Sequence, residues 1–78
     1  MPRYFLDFSD AKGKIVDREG IDLADRSAAR AEVNTTLSEL ARDLPPDEDR
    51  MMLVARVRDE AGGVLMIATL SLVVEWTT

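Results

Sequence analysis

An α+β fold of order ββαββ, a four-stranded sheet with one helix packed on one face, is what this sequence predicts. Three observations point to it. From Val64 to Trp76 every even position is apolar: Val64, Met66, Ala68, Leu70, Leu72, Val74 and Trp76. That is the period of a β-strand, held for longer than most strands run. A second rhythm joins Ala29, Val33, Leu37, Leu40 and Leu44 at spacings of four, four, three and four, which makes one apolar stripe along a helix. Finally, Asp59-Glu60-Ala61-Gly62-Gly63 lies between two apolar runs and reads as a hairpin, a type I turn closed by a left-handed glycine.

The elements follow in order. Tyr4 to Phe8 is the first strand, with Tyr4, Leu6 and Phe8 on one face and Arg3, Phe5 and Asp7 on the other. Ser9 to Gly13 is turn chemistry, Gly13 being the expected positive-φ residue. A short return strand runs from Lys14 to Asp17, is interrupted at Glu19-Gly20, and leaves Ile21 and Leu23 as apolar anchors. Asp25 is placed to cap the helix by accepting from the unpaired amides of its first turn. Asn34, Thr35 and Thr36 are mediocre helix formers, so the helix depends on docking more than on propensity. Pro45-Pro46 is its expected stop. The third strand is Met51 to Asp59, with Leu53, Ala55 and Val57 inward and Met52, Val54, Arg56 and Arg58 outward. The fourth is the long run to Trp76. Burying all the stripes together gives a core of Tyr4, Leu6, Phe8, Ile21 or Leu23, Val33, Leu37, Leu40, Leu44, Leu53, Ala55, Val57, Ala68, Leu70 and Leu72.

Seventy-eight residues make one small domain, spanning 1–78. A chain of this size buries only about 60% of the surface its unfolded form exposes, so its margin of stability is thin unless it assembles. Cysteine and histidine are both absent, which removes disulfides, the common zinc and copper ligand sets, and the Cys-His and Ser-His nucleophile pairs. Fifteen acidic residues against ten basic ones give a net charge of −5, a surface that repels nucleic acid unless its arginines cluster strongly. Met1-Pro2-Arg3-Tyr4 begins no apolar run behind a basic start, so no signal peptide is expected. The apolar run Val64–Val74 is too short for a membrane helix, which needs about 20 residues, and it carries Thr69 and Ser71. A cytoplasmic setting is the expectation.

Several segments carry a resemblance that covers almost the whole chain. These are the opening Met1-Pro2-Arg3-Tyr4-Phe5-Leu6-Asp7, Asp17 to Asp25, the helix entry Ala28-Ala29-Arg30-Ala31-Glu32, and Val57 to Gly62 ahead of Thr69-Leu70-Ser71-Leu72. Together they resemble a family of short proteobacterial proteins known only as a domain of unknown function, whose members begin M-P-x-Y-F-F-D. Leu6 departs from the usual aromatic, and Met51-Met52 is unusually apolar. The resemblance implies a stand-alone α+β domain in a bacterial cytoplasm. It implies no activity.

The acidic residues Asp7, Asp10, Asp17, Glu19, Asp22 and Asp25 lack the tight alternate spacing of a calcium loop, and turns and caps account for Asp10 and Asp25. No metal, cofactor or catalytic site is expected. Arg56 and Arg58 project from the face opposite the helix, and with Arg3 they are candidates for holding a carboxylate or phosphate. The simpler expectation for them is cross-strand pairing with Asp7 or Glu75. The same face carries Phe5, Met52, Val54, Leu65, Ile67 and Val73, a mixture suited to an interface core with a polar surround. The sequence therefore predicts a small non-catalytic interaction module. It is expected to form a homodimer through the outer sheet face and the edge of the last strand, with Phe5, Val54, Ile67, Val73 and Trp76 at the interface. The alternative is a binding domain for a small anion or an acidic partner, using Arg3, Arg56 and Arg58.

Overall fold

The computed structural model describes residues 1–43 and 47–78. The chain runs β1 (Arg3–Asp10), β2 (Gly13–Ile15), β3 (Ile21–Asp22), α1 (Arg26–Arg42), β4 (Arg50–Arg58) and β5 (Val64–Val73). Every pairing is antiparallel and the order across the sheet is β2-β1-β4-β5, with β3 also against β1. The α+β class expected from the sequence is the one found, with five strands in place of four. The extra strand arises because the return from β1 is broken. Phe8 pairs with Ile15, whereas Tyr4 pairs with Ile21, so the chain between them must bulge away. Asp17 fills the gap: its Oδ2 accepts from the Leu6 amide at 3.1 Å, where a strand carbonyl would otherwise stand.

The turn after β1 is an Asx turn, with Asp10 Oδ1 accepting from the amides of Lys12 at 2.8 Å and Gly13 at 3.0 Å. Gly13 does not adopt the positive φ expected of it; positive φ falls at Gly20, +76°, and at Gly62, +90°, the latter in the hairpin where a left-handed glycine is expected. Between β4 and β5 the Gly62 amide donates to the Asp59 carbonyl at 3.0 Å, the turn expected there. This turn is followed by a bulge. Val57 faces Met66 but Arg58 faces Val64, so Leu65 is the surplus residue. The strict alternation read from Val64 onward is therefore reset: Val64 shares the outer face with Arg58, and Leu65 packs against the core.

Asp25 caps α1 as expected, its backbone extended and its Oδ1 accepting from the Ala28 amide at 2.9 Å. Thr35 and Ser38 donate their hydroxyls to the carbonyls of Ala31 and Asn34, one turn back, at 3.1 and 2.8 Å. Asp43 ends the helix, and its amide donates to Leu40 O at 3.3 Å. The expected stop at Pro45-Pro46, and Leu44 as the last residue of the stripe, lie outside the described residues.

Ala29, Val33 and Leu37 of α1 close over Tyr4 and Leu6 of β1 and over Leu53, Ala55 and Val57 of β4. Phe8, Leu23, Leu40 and Ala68 are half-buried around this centre. Of the alternatives Ile21 and Leu23, it is Leu23 that packs against the core, but two other residues expected there, Leu70 and Leu72, are exposed. Strand order is the reason. A single helix of about 10 Å diameter covers two strands at a spacing of about 4.8 Å, and it sits over β1 and β4. That leaves the far half of β5, from Leu70 onward, beyond its reach, while Leu65, Met66 and Ala68 still pack against the core.

Gly20 lies against the opposite face. A Cβ there would stand 2.8 Å from Arg3 Cγ and 3.0 Å from Phe5 Cε1. Gly20→Ala is thus expected to cost about 1–3 kcal/mol, combining backbone strain with a clash. Gly62 has open space where its Cβ would be, so Gly62→Ala carries only the conformational term, about 1 kcal/mol. Denaturant unfolding of the two variants side by side checks both figures.

Candidate interaction surface at the open edge of the sheet

The outer face is divided between a polar cluster and an apolar field. The cluster sits over β1. Arg58 donates from Nε to Asp7 Oδ2 at 2.7 Å and from Nη2 to Asp7 Oδ1 at 3.0 Å, a bidentate pair. Arg58 Nη2 also reaches the Asp17 carbonyl at 2.9 Å, and its guanidinium lies 5.2 Å from the centre of the Phe5 ring. The Asp17 amide returns a hydrogen bond to Asp7 Oδ1 at 2.9 Å. Arg3 is held in a similar way, by Asp22 Oδ1 at 3.0 Å and the Glu19 carbonyl at 3.1 Å. The cluster ties β1, β3, β4 and the 16–20 bulge together.

Its electrostatics follow from these bonds. The hydrogen bond from Arg58 holds the Asp7 carboxyl below its ordinary value of 3.8, against the opposing effect of burial. Burial pushes the Asp17 carboxyl up, but the amides of Gly20, Leu6 and Glu19 together outweigh it, and it too lies below 3.8. A carboxyl whose folded pKa is depressed contributes stability that is present above its unfolded pKa and lost as pH falls through the folded one. Asp7→Asn is expected to lower the melting temperature at pH 7. The gap from the parent protein should narrow steadily as pH drops below 3.8, which thermal melts at pH 7, 4 and 2.5 will read.

Of the arginines picked out in the sequence, Arg3 and Arg58 each already hold a carboxylate, Arg58 holding Asp7 as the cross-strand expectation had it. Arg56 stands opposite Asp7 on β1 and Ile67 on β5, is exposed, and makes no ion pair among the described residues. The three arginines are not gathered around one vacancy. Among the described residues there is also no group of three or more Asp or Glu side chains able to hold a metal ion.

The apolar field lies at β5. This strand pairs with β4 along its whole length, and Val74 extends the ladder by donating to the Asp49 carbonyl at 2.7 Å. The expected thirteen-residue strand is thus ten residues long, and Val73 has a partner in Arg50. Among the described residues nothing pairs with the other side of β5: it is a ten-residue edge with no charge and no proline in it. Ile67 is 58% exposed and Val73 59% on the outer face, while Leu70 and Leu72, at 36% and 46%, are uncovered on the helix side. Trp76 follows, 85% exposed. Val54 is half-buried between Ser9 and Thr69. Phe5 is also half-buried, two strands in from the edge and under Arg58. Of the five expected interface residues, then, Ile67 and Val73 lie along the edge strand, Trp76 lies beyond its end, Val54 is on the neighbouring strand, and Phe5 belongs to the polar cluster. Leu70 and Leu72 also belong to the exposed edge, although an unbroken apolar alternation reads as core.

The opposite edge of the sheet is handled differently. β2 has three residues and β3 two, and the Asp17 bulge between them interrupts any ladder. Short strands and bulges are the usual means by which a protein prevents a sheet edge from pairing. The β5 edge has only the bulge at Leu65, close to its start.

Fold and surface together define a small α+β domain with one guarded sheet edge and one unguarded edge. The chain belongs to the family described as Domain of unknown function (DUF6894), whose model matches residues 3–71. No curated protein and no solved structure matches it. No helix among the described residues is long and apolar enough to cross a membrane.

Proposed function

We propose that the protein is a non-catalytic interaction module that forms a homodimer by antiparallel pairing of β5 with β5 of a second copy. The observation that carries this reading is the ten-residue, uncharged, proline-free edge with apolar side chains exposed on both of its faces. A two-fold axis normal to the sheet joins the two edges into one continuous sheet and keeps both helices on the same side. Centred on Leu70, the pairing sets Ile67 against Val73 on the outer face and Leu72 against Ala68 on the helix side. The most exposed apolar residues of the strand thereby cover one another. About ten new backbone hydrogen bonds, each worth about 0.5–1.5 kcal/mol net, add to that apolar burial and oppose an association cost of about 4–15 kcal/mol. A micromolar dissociation constant, about −8 kcal/mol, lies within that balance. The setting we assign is the bacterial cytoplasm, which the likeness to short proteobacterial proteins implies.

The second reading, an anion or acidic-partner site on Arg3, Arg56 and Arg58, has less support. A ligand would have to displace Asp22 and Asp7 from two of its three cations. Salt separates the two readings, since the screening length falls from about 10 Å at 0.1 M to about 3 Å at 1 M. Sedimentation across that range is expected to give an unchanged dimer. Dissociation at high salt would favour the arginine site.

A further inference from the structure

A cleft of about 250 Å³ opens between the start of α1 and the start of β5. Its floor is Tyr4, Val57, Leu65 and Met66, and Arg26 and Arg30, one helical turn apart, stand at its rim. Both arginines are exposed, and neither makes an ion pair among the described residues. The bulge builds this cleft by turning Leu65 inward beside Met66, so that two successive residues line it. At about 30 Å³ per water in the liquid it has room for about eight waters, the scale of one large side chain.

The chain carries such a side chain without a place for it. Trp76 is the single tryptophan and is the most exposed of the large apolar residues. Residues 74–78 are exposed throughout, and β5 with this tail, at about 3.3 Å per residue, matches the 52 Å long axis of the molecule. The tail therefore continues β5 outward, away from the cleft of its own chain at the other end of the strand.

We infer that Trp76 of each copy seats in the Tyr4-Val57-Leu65-Met66 cleft of the other, beneath Arg26 and Arg30. The inference rests on the β5–β5 pairing proposed above. With that pairing centred on Leu70, Val74 stands opposite Met66 of the second copy and Trp76 abreast of its Val64, beside the mouth of the cleft. When that pairing extends the strand through Val74 to Trp76, the alternation that puts Leu70 and Leu72 on the helix side turns the indole toward α1 of the second copy. A guanidinium over an indole face is the most favourable cation–π pair, and here two are within a turn of each other. Each dimer contains two such insertions, one at either end of the joined strands.

Because Trp76 is the only tryptophan, its fluorescence reports this contact directly. Emission and sedimentation are followed together over a dilution series of the full chain. The expected result is an emission maximum that moves to shorter wavelength along the same isotherm as dimer formation. Trp76→Ala should still dimerise, with a dissociation constant at least tenfold higher. The double variant Arg26→Ala/Arg30→Ala should weaken the dimer severalfold and move the emission back toward longer wavelength. A dimer whose tryptophan emits as in water would overturn the insertion while leaving the strand pairing intact. A blue shift unaffected by the double arginine variant would overturn the choice of cleft. A monomer at every concentration would remove both the insertion and the pairing beneath it.

Discussion

Leu37→Ala is expected to destabilise the domain by about 2–5 kcal/mol, through lost transfer energy and the cavity left under the helix. Leu37 is buried with Val33 and Ala29 against β1 and β4, and among the described residues no further layer stands over the helix to close the gap. A chain of this length has a total stability of about 4–12 kcal/mol, so the loss is a large share of it. At about 4–8 °C per kcal/mol for so small a domain, the melting temperature should fall by at least about 8 °C. Leu72→Ala is the matched control. Leu72 has the same side chain but is 46% exposed on β5, and in the isolated chain its truncation should cost under about 1 kcal/mol. Equal losses at the two leucines would mean that α1 covers β5 as well.

Ile67→Lys and Val73→Asp should abolish the dimer and leave the fold of each chain almost untouched. Both residues are more than half exposed, and a lysine at 67 stands opposite Arg56 while an aspartate at 73 stands opposite Arg50, so in the single chain either charge changes stability by no more than about 1 kcal/mol. In the proposed pairing each occurs twice, and the charge would be carried into an apolar contact between strands. Charges on an edge strand are the usual barrier to strand pairing. The dissociation constant is expected to rise by at least a hundredfold, with circular dichroism unchanged. Combining Ile67→Lys with Val73→Asp in one chain sets the lysine against the aspartate across the pairing and should restore part of the affinity. Restoration would support the register centred on Leu70, and an additive loss would contradict it.

How much of this was legible in the sequence depends on how local each cause is. Asp25 and the 29-33-37 stripe act within a few residues, and the helix starts and docks where they say. Gly62 closes its hairpin for the same reason. The Arg58–Asp7 pair joins distant residues, but it follows from both lying on one face of neighbouring strands. Strand order is different. Whether β5 lies inside the sheet or at its edge depends on which partner β1 and β4 choose, and the alternation of apolar residues is the same in either place. Leu70 and Leu72 were consequently read as core. The bulge at Leu65 escaped too, because an apolar residue one position out of phase leaves no mark in an apolar run. Asp17 falls within a strand by sequence, whereas its side chain substitutes for one: Oδ2 accepts from the Leu6 amide, and Oδ1 accepts from the amide of Gly20, where φ is positive.

The guarded edge and the open edge belong to the same sheet, and the contrast between them carries the functional reading. The β2–β3 side is cut into short pieces, while β5 presents ten uncharged residues and a tryptophan beyond them. Sedimentation equilibrium of the intact chain at micromolar concentration tests that reading most directly. The expected result is a species of twice the 8.7 kDa of one chain, dissociating on dilution and after Val73→Asp. A species of 8.7 kDa at every concentration would contradict it.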